Sequence, residues 1–115
     1  MTILAKLLFA IVLVETGNHA VINRHDHGVA IGPMQIHRCF WLDSRVPGRW
    51  RDCMSLAYSE RVAVAYWRRY VPLALRRRDA EVLARTFNGG PRGADNPRTL
   101  GYWFRVKRVL QRKEK

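Results

Sequence analysis

Acidic residues are scarce in this chain. Asp and Glu number 9 against 21 Lys and Arg, a net charge of +12 over 115 residues. The bases run from Arg24 to Lys115 rather than gathering in one tail, so a polyanion is the natural partner. The motifs of a nucleic-acid binder are missing: aromatic and basic residues do not interleave along a strand, and no helix-turn-helix is legible. Anionic cell-envelope polymer fits the charge, and no specific nucleic-acid partner is expected. Cysteine is nearly absent. Cys39 and Cys53 are the only two, and without a CxxC pair there is no support for structural zinc or thioredoxin-type chemistry. The segment between them, with Pro47 and Gly48, is loop-like enough to let them meet, and two free thiols fit equally well. Neither a serine-nucleophile elbow nor a phosphate-cradling loop occurs, which leaves acyl and phosphoryl transfer without support. No apolar run is long enough to span a bilayer. The opening MTILAKLLFAIVLVE imitates a secretory signal, but no small-x-small cleavage site follows and the run stops at Glu15. It is expected to be the first, buried helix, with no transmembrane segment, and the compartment stays open.

What is present is an apolar fraction of 48%, enough for one packed core, so residues 1–115 are expected to form a single domain. The spacing of Ile3, Leu4, Leu7, Leu8, Ile11 and Val12 predicts the first helix. Thr16 to Gly32, rich in Gly, Asn and Asp, reads as turns around a short hairpin. A short helix is expected over Met34–Leu42 and a loop at SRVPGRW. The central helix is expected over Ser55–Tyr70 and ends before Pro72. Asp79 caps a helix through Phe87 that NGGP stops, and Asn96 with Pro97 starts the last one. Its apolar face comprises Leu100, Trp103, Phe104, Val106 and Leu110, with Arg105, Lys107, Arg108 and Arg112 on the solvated side. The expected fold is mainly α, a compact helical domain with a small β-hairpin or irregular element after the first helix.

Two of the few acids fall close together in sequence. Glu15 lies where an apolar helix gives way to a loop, so partial desolvation would favour its protonated form, able to donate a proton. Asp26, beside Arg24, His25 and His27, should stay ionised. Carboxyls with opposed environments suit glycoside hydrolysis, in which one protonates the leaving oxygen and the other stabilises or attacks the sugar cation. Taken singly, each has an ordinary alternative: Glu15 a solvated or ion-paired helix end, Asp26 a turn residue. The alternating HDH lacks a further ligand cluster, so no metal and no cofactor are expected.

VETG followed by AIGPMQIH resembles the glutamate and Gly-x-x-Gln elements shared by goose-type lysozymes and lytic transglycosylases. YSERVAVAYWRRY, ARTFNGGPRG and TLGYWFRV are similar to the second half of invertebrate-type (destabilase-like) lysozymes. The resemblance covers the chain from Ile11 to Val109. It implies an α+β lysozyme-like fold, with Glu15 as general acid and Asp26 as second carboxylate. Gln35, His37, Trp41, Asn88, Gly89 and Tyr102 are then the residues that line or shape a sugar cleft: amides for N-acetyl groups, glycine for close backbone approach, aromatic faces for stacking. The implied activity is that of a muramidase acting on peptidoglycan glycan strands, as a monomer, at the cell wall, whether periplasmic, secreted or released as a phage endolysin. A lytic transglycosylase using Glu15 alone is one alternative. A non-catalytic basic protein binding envelope polymer or nucleic acid on the same scaffold is another. The chain departs from the disulfide-rich animal members, which pin the loop around the second carboxylate covalently, by having two cysteines.

Overall fold

The computed structural model describes residues 1–25 and 28–112; of His25 it describes the backbone alone. Helix α1 (Ile3–Thr16) begins at Thr2, whose hydroxyl accepts from the Ala5 N–H at 3.0 Å. It ends at Gly17, a residue at φ +67° whose N–H reaches the Leu13 carbonyl, a conformation that favours glycine and stops the helix. Leu7, Leu8, Ala10, Ile11 and Val12 are buried, so α1 is largely a core helix, and Glu15 occupies its last turn.

The expected hairpin is present. Strand β1 (Ile22–His25) pairs antiparallel with β2 (Gly28–Ile31), and β2 pairs with β3 (Ile36–His37), in the order β1-β2-β3. The helix expected over Met34–Leu42 starts later, as α2 (Arg38–Ser44). Gln35 sits at φ +55°, which breaks helical geometry, and Ile36 and His37 pair with Ile31 and Ala30 instead. Helix α3 (Leu56–Tyr70) stands where its spacing predicted, and the Ser55 hydroxyl caps it. Pro72 does more than end it: it opens a further helix, α4 (Pro72–Arg77), since proline's fixed φ suits a first helical turn. Helix α5 (Ala80–Gly89) is capped by Asp79. Asn96 and Pro97 start a short 3-10 turn (Pro97–Thr99) that runs into α6 (Leu100–Leu110). On α6, Leu100 and Phe104 are exposed, and Tyr102 takes the core position beside Trp103 and Val106.

The core joins α1, α3, α5 and α6. Trp67 is fully buried and donates its indole N–H to the Leu83 carbonyl at 2.9 Å, tying α3 to α5. Trp50, in the 3-10 turn Trp50–Met54, donates to the Ile36 carbonyl at 2.9 Å and holds β3. Cys39 is exposed and Cys53 buried, and both are free thiols, so no crosslink pins this region. Burial, with Asp52 nearby, pushes the Cys53 thiol up to about 12, and the Ser59 hydroxyl donates to its carbonyl at 2.7 Å.

The sheet is seated on that turn through Gly32. Its φ is +81°, and a Cβ there would stand 1.8 Å from the Cys53 carbonyl oxygen. Gly32→Ala must move backbone as well as adopt a strained φ, and should cost at least ~2 kcal/mol in urea unfolding. An unchanged urea midpoint would show that the sheet does not rest on this contact.

Candidate active site

The geometry at Glu15 follows from how α1 ends. Beside it, the Thr16 hydroxyl donates to the Pro33 carbonyl at 2.9 Å and accepts from the N–H groups of Asn18 and His19 at 3.1 and 3.0 Å. That one hydroxyl clamps the helix end to the turn between β2 and β3. Gln35 completes the clamp. Its amide nitrogen donates to the carbonyls of Val21 (3.1 Å) and Gly32 (2.9 Å), and its oxygen accepts from the Asn23 amide at 2.6 Å. The Gln35 side chain therefore shapes the β element, with both amide protons already engaged.

Glu15 is half-buried, and burial raises its pKa from the ordinary 4.5 to about 7. The Tyr102 hydroxyl and the Arg105 guanidinium oppose the rise. Tyr102 lies on α6, buried beside the carboxyl; its oxygen makes no hydrogen bond of standard geometry, yet it is near enough to favour the ionised acid. Burial and the neighbouring Glu15 hold the Tyr102 phenol well above its usual range, so it remains a donor. Arg105 packs over the Tyr102 ring at 5.6 Å. The result is a carboxyl that keeps its proton near neutrality and can still release it.

Asn88 and Gly89 end α5, both exposed. Gly89 has a packing reason to lack a side chain: a Cβ would lie 2.5 Å from the Thr99 methyl. Gly90, at φ +86°, faces the Tyr66 hydroxyl, with 3.9 Å between that oxygen and the place of a Cβ. Phe40 stacks on Tyr66 at 3.8 Å and meets Phe87 edge-on at 5.1 Å. The Asn-Gly-Gly turn therefore borders an aromatic wall from α2, α3 and α5. Arg85 fixes the turn from below. It is buried and donates to Thr99 Oγ1 (2.8 Å), the Asn96 carbonyl (3.1 Å) and Glu81 (2.8 Å).

His37 is half-buried at the start of α2, its Nδ1 4.0 Å from where a Cβ of Gly28 would be. Trp41 is half-buried with its indole N–H on the Tyr58 hydroxyl at 2.9 Å, and that hydroxyl donates to the Pro47 carbonyl. Trp41 is thus anchored to the 45–54 loop. Asp26 lies outside the described residues, between His25 and Gly28, which are paired in the hairpin register. Two concavities, of about 880 and 600 Å³, lie elsewhere, and Glu15 lines neither.

No family model matches the chain. Individual proteins do. An invertebrate-type lysozyme of Ruditapes philippinarum is 32% identical over 108 residues, covering 90% of this chain and 79% of its own. The inhibitor-bound crystal structure of Meretrix lusoria lysozyme superposes with a TM-score of 0.80 at 34% identity, over 90% of this chain and 88% of that one. The chain belongs to the invertebrate-type lysozymes. It is accordingly a lysozyme-type enzyme. Lysozyme 1 of Crassostrea virginica is 44% identical over 78 residues, a match spanning 66% of this chain and 42% of that longer protein.

Within this lysozyme the structure brings Glu15 and Tyr102 together, sets Gln35 in the β element clamped to α1, and holds Trp41 against Tyr58. Sequence patterning missed three contributors. Arg105 looked like a solvated helix residue, although its i,i+3 spacing from Tyr102 places both toward the same side. Phe40 and Tyr66 carry no mark in the sequence, and nothing in their spacing shows the wall they form beside the glycines. Among the described residues, no group of three or more His, Cys, Asp or Glu side chains forms a metal site, and no helix is long and apolar enough to cross a membrane.

The raised pKa carries a stability consequence. Since Glu15 titrates near 7 in the folded state and near 4.5 when unfolded, its contribution is fully present below pH 4.5 and lost as pH rises through about 7. Glu15→Gln cannot ionise, so it should gain on the wild type across that window, by roughly 3 kcal/mol above pH ~8. Urea unfolding of both proteins as a function of pH checks this, and a pH-independent difference would contradict the burial of the carboxyl.

Proposed function

We propose that the chain is a muramidase that hydrolyses the linkage between N-acetylmuramic acid and N-acetylglucosamine in peptidoglycan, with Glu15 as general acid and then general base. One observation carries this: a half-buried carboxyl at the end of α1 whose pKa lies near 7. Protonated, it gives its proton to the glycosidic oxygen as the bond breaks. Ionised, it takes a proton from the water that attacks the sugar. Tyr102 and Arg105 keep the proton from being held too tightly for the second half of the cycle.

Asp26 is proposed as the second carboxylate, stabilising or attacking the positive charge that develops on the sugar. Its support is its sequence position, ahead of the Gly-Pro-x-Gln-Ile segment of the family. Asn88, whose amide is exposed, is proposed to hydrogen-bond an N-acetyl group. Gly89 and His37 are proposed to border the glycan, and Trp41 to offer it an aromatic face. Gln35 and Tyr102 then act by position, the first by setting the β element and the second by sitting beside Glu15. The enzyme is proposed to work as one domain and as a monomer, its net +12 charge concentrating it on anionic wall polymer.

Glu15→Gln preserves size and removes the proton donor, so turnover on purified sacculi should fall at least ~10²-fold with folding and wall binding intact. Full activity in that variant would end the proposal. Asp26→Asn should lose a comparable factor, because an amide cannot offset the charge on the sugar. Mass spectrometry of the released muropeptides should show reducing ends. Anhydro ends, lighter by one water, together with an active Asp26→Asn enzyme would identify a lytic transglycosylase instead.

A further inference from the structure

Glu15 lies on the core-facing side of α1, and the opposite side carries a partly exposed apolar stripe. Lys6, Phe9 and Leu13 follow one another at three- and four-residue spacing, which sets them on one stripe. Phe9 is 48% exposed. With Val109 and Leu110 from the end of α6, Phe9 and Leu13 line an open concavity of about 880 Å³, edged by Lys6 and Arg112. A second, of about 320 Å³, shares Leu13, Val109 and Arg112 and adds Arg105 and Arg108. Among the described residues, no Asp or Glu lines either one. The only ion pair among the described residues, Arg85 with Glu81, lies on α5, so Lys6, Arg108 and Arg112 are in none, while Arg105 is turned to Tyr102 and Glu15.

A phosphate polymer would use the cations and leave Phe9 and Leu13 idle, and a glycan stacked on the Phe9 ring would leave the aliphatic Leu13, Val109 and Leu110 idle. A partner with both an apolar interior and an anionic surface matches the whole face. We propose that the α1–α6 face is a docking surface for an anionic phospholipid bilayer, with Phe9 and Leu13 entering the interfacial zone while Lys6, Arg108 and Arg112 meet the headgroup phosphates. Two residues along a helix, Leu13 and Glu15 point about 160° apart. A molecule docked through Leu13 keeps Glu15 turned away from the lipid. The arrangement suits an enzyme that works on a wall layered directly over a membrane, and it does not depend on which carboxylates do the chemistry.

Co-sedimentation of the whole protein with vesicles tests this. Vesicles of phosphatidylcholine with added phosphatidylglycerol should bind it at low salt, and vesicles of phosphatidylcholine alone should not. Phe9→Gln should weaken partitioning to the anionic vesicles about ten-fold, the loss of one partly inserted ring, with cleavage of a soluble chitooligosaccharide retained. Arg108→Gln and Arg112→Gln, both at exposed positions, should weaken it roughly five-fold each, and carry the test should Phe9→Gln fail to fold. Absence of binding to the anionic vesicles overturns the proposal. So does Phe9→Gln binding like the wild type, or equal competition by soluble polyphosphate for both proteins, since either result reduces the face to a charge patch for polymers.

Discussion

Everything at the proposed catalytic centre depends on a helix that has to stop while its last carboxylate is still half out of water. Gly17 supplies the left-handed residue that ends α1, and the Thr16 hydroxyl uses the freed chain to fasten the helix end to Pro33. Apolar surroundings raise the Glu15 pKa to about 7, at a cost to folding at neutral pH that the rest of the core must offset. Unfavourable burial gathered at one carboxyl, supported by well-packed elements elsewhere, is a pattern expected of active sites.

The supporting elements do so without covalent help. Animal members of the family are expected to be rich in disulfides, whereas both cysteines here are free. Close packing substitutes for crosslinks at each critical loop. Gly32 lets the sheet rest on the Cys53 carbonyl, and Gly93 lets its own turn approach the Arg85 carbonyl, where a Cβ would stand at 2.0 Å. Indole N–H groups of Trp50 and Trp67 bridge elements distant in sequence. The buried Arg85 spends its guanidinium on the loop before α6, so a residue of the family-like ARTFNGG stretch serves the scaffold.

The elements with strong local signals were legible in the sequence. Ser55 and Asp79 cap the helices that their spacing predicted, and NGGP stops α5. What the sequence hid was decided by partners far along the chain. Gln35 looked like part of a helix or a ligand for sugar; only the carbonyls of Val21 and Gly32 explain its left-handed backbone and its engaged amide. Pro72 reads as a stop for the helix before it and is equally suited to open the next, so the sequence alone did not show that α4 follows. On α6 the apolar residues Leu100 and Phe104 face solvent while Tyr102 is buried, since proximity to Glu15 and α1 outweighs side-chain hydropathy there. Glu15 itself was visible as a carboxylate at the end of a greasy helix; Arg105, which tempers it, was not.

The most direct measurement is of the carboxyl itself. Titration of the Glu15 side-chain carbon by ¹³C NMR, in the folded protein without substrate, should give a midpoint near 7. A midpoint near the ordinary 4.5 would mean that the carboxyl is solvated and ionised at neutral pH, and would contradict its role as the proton donor.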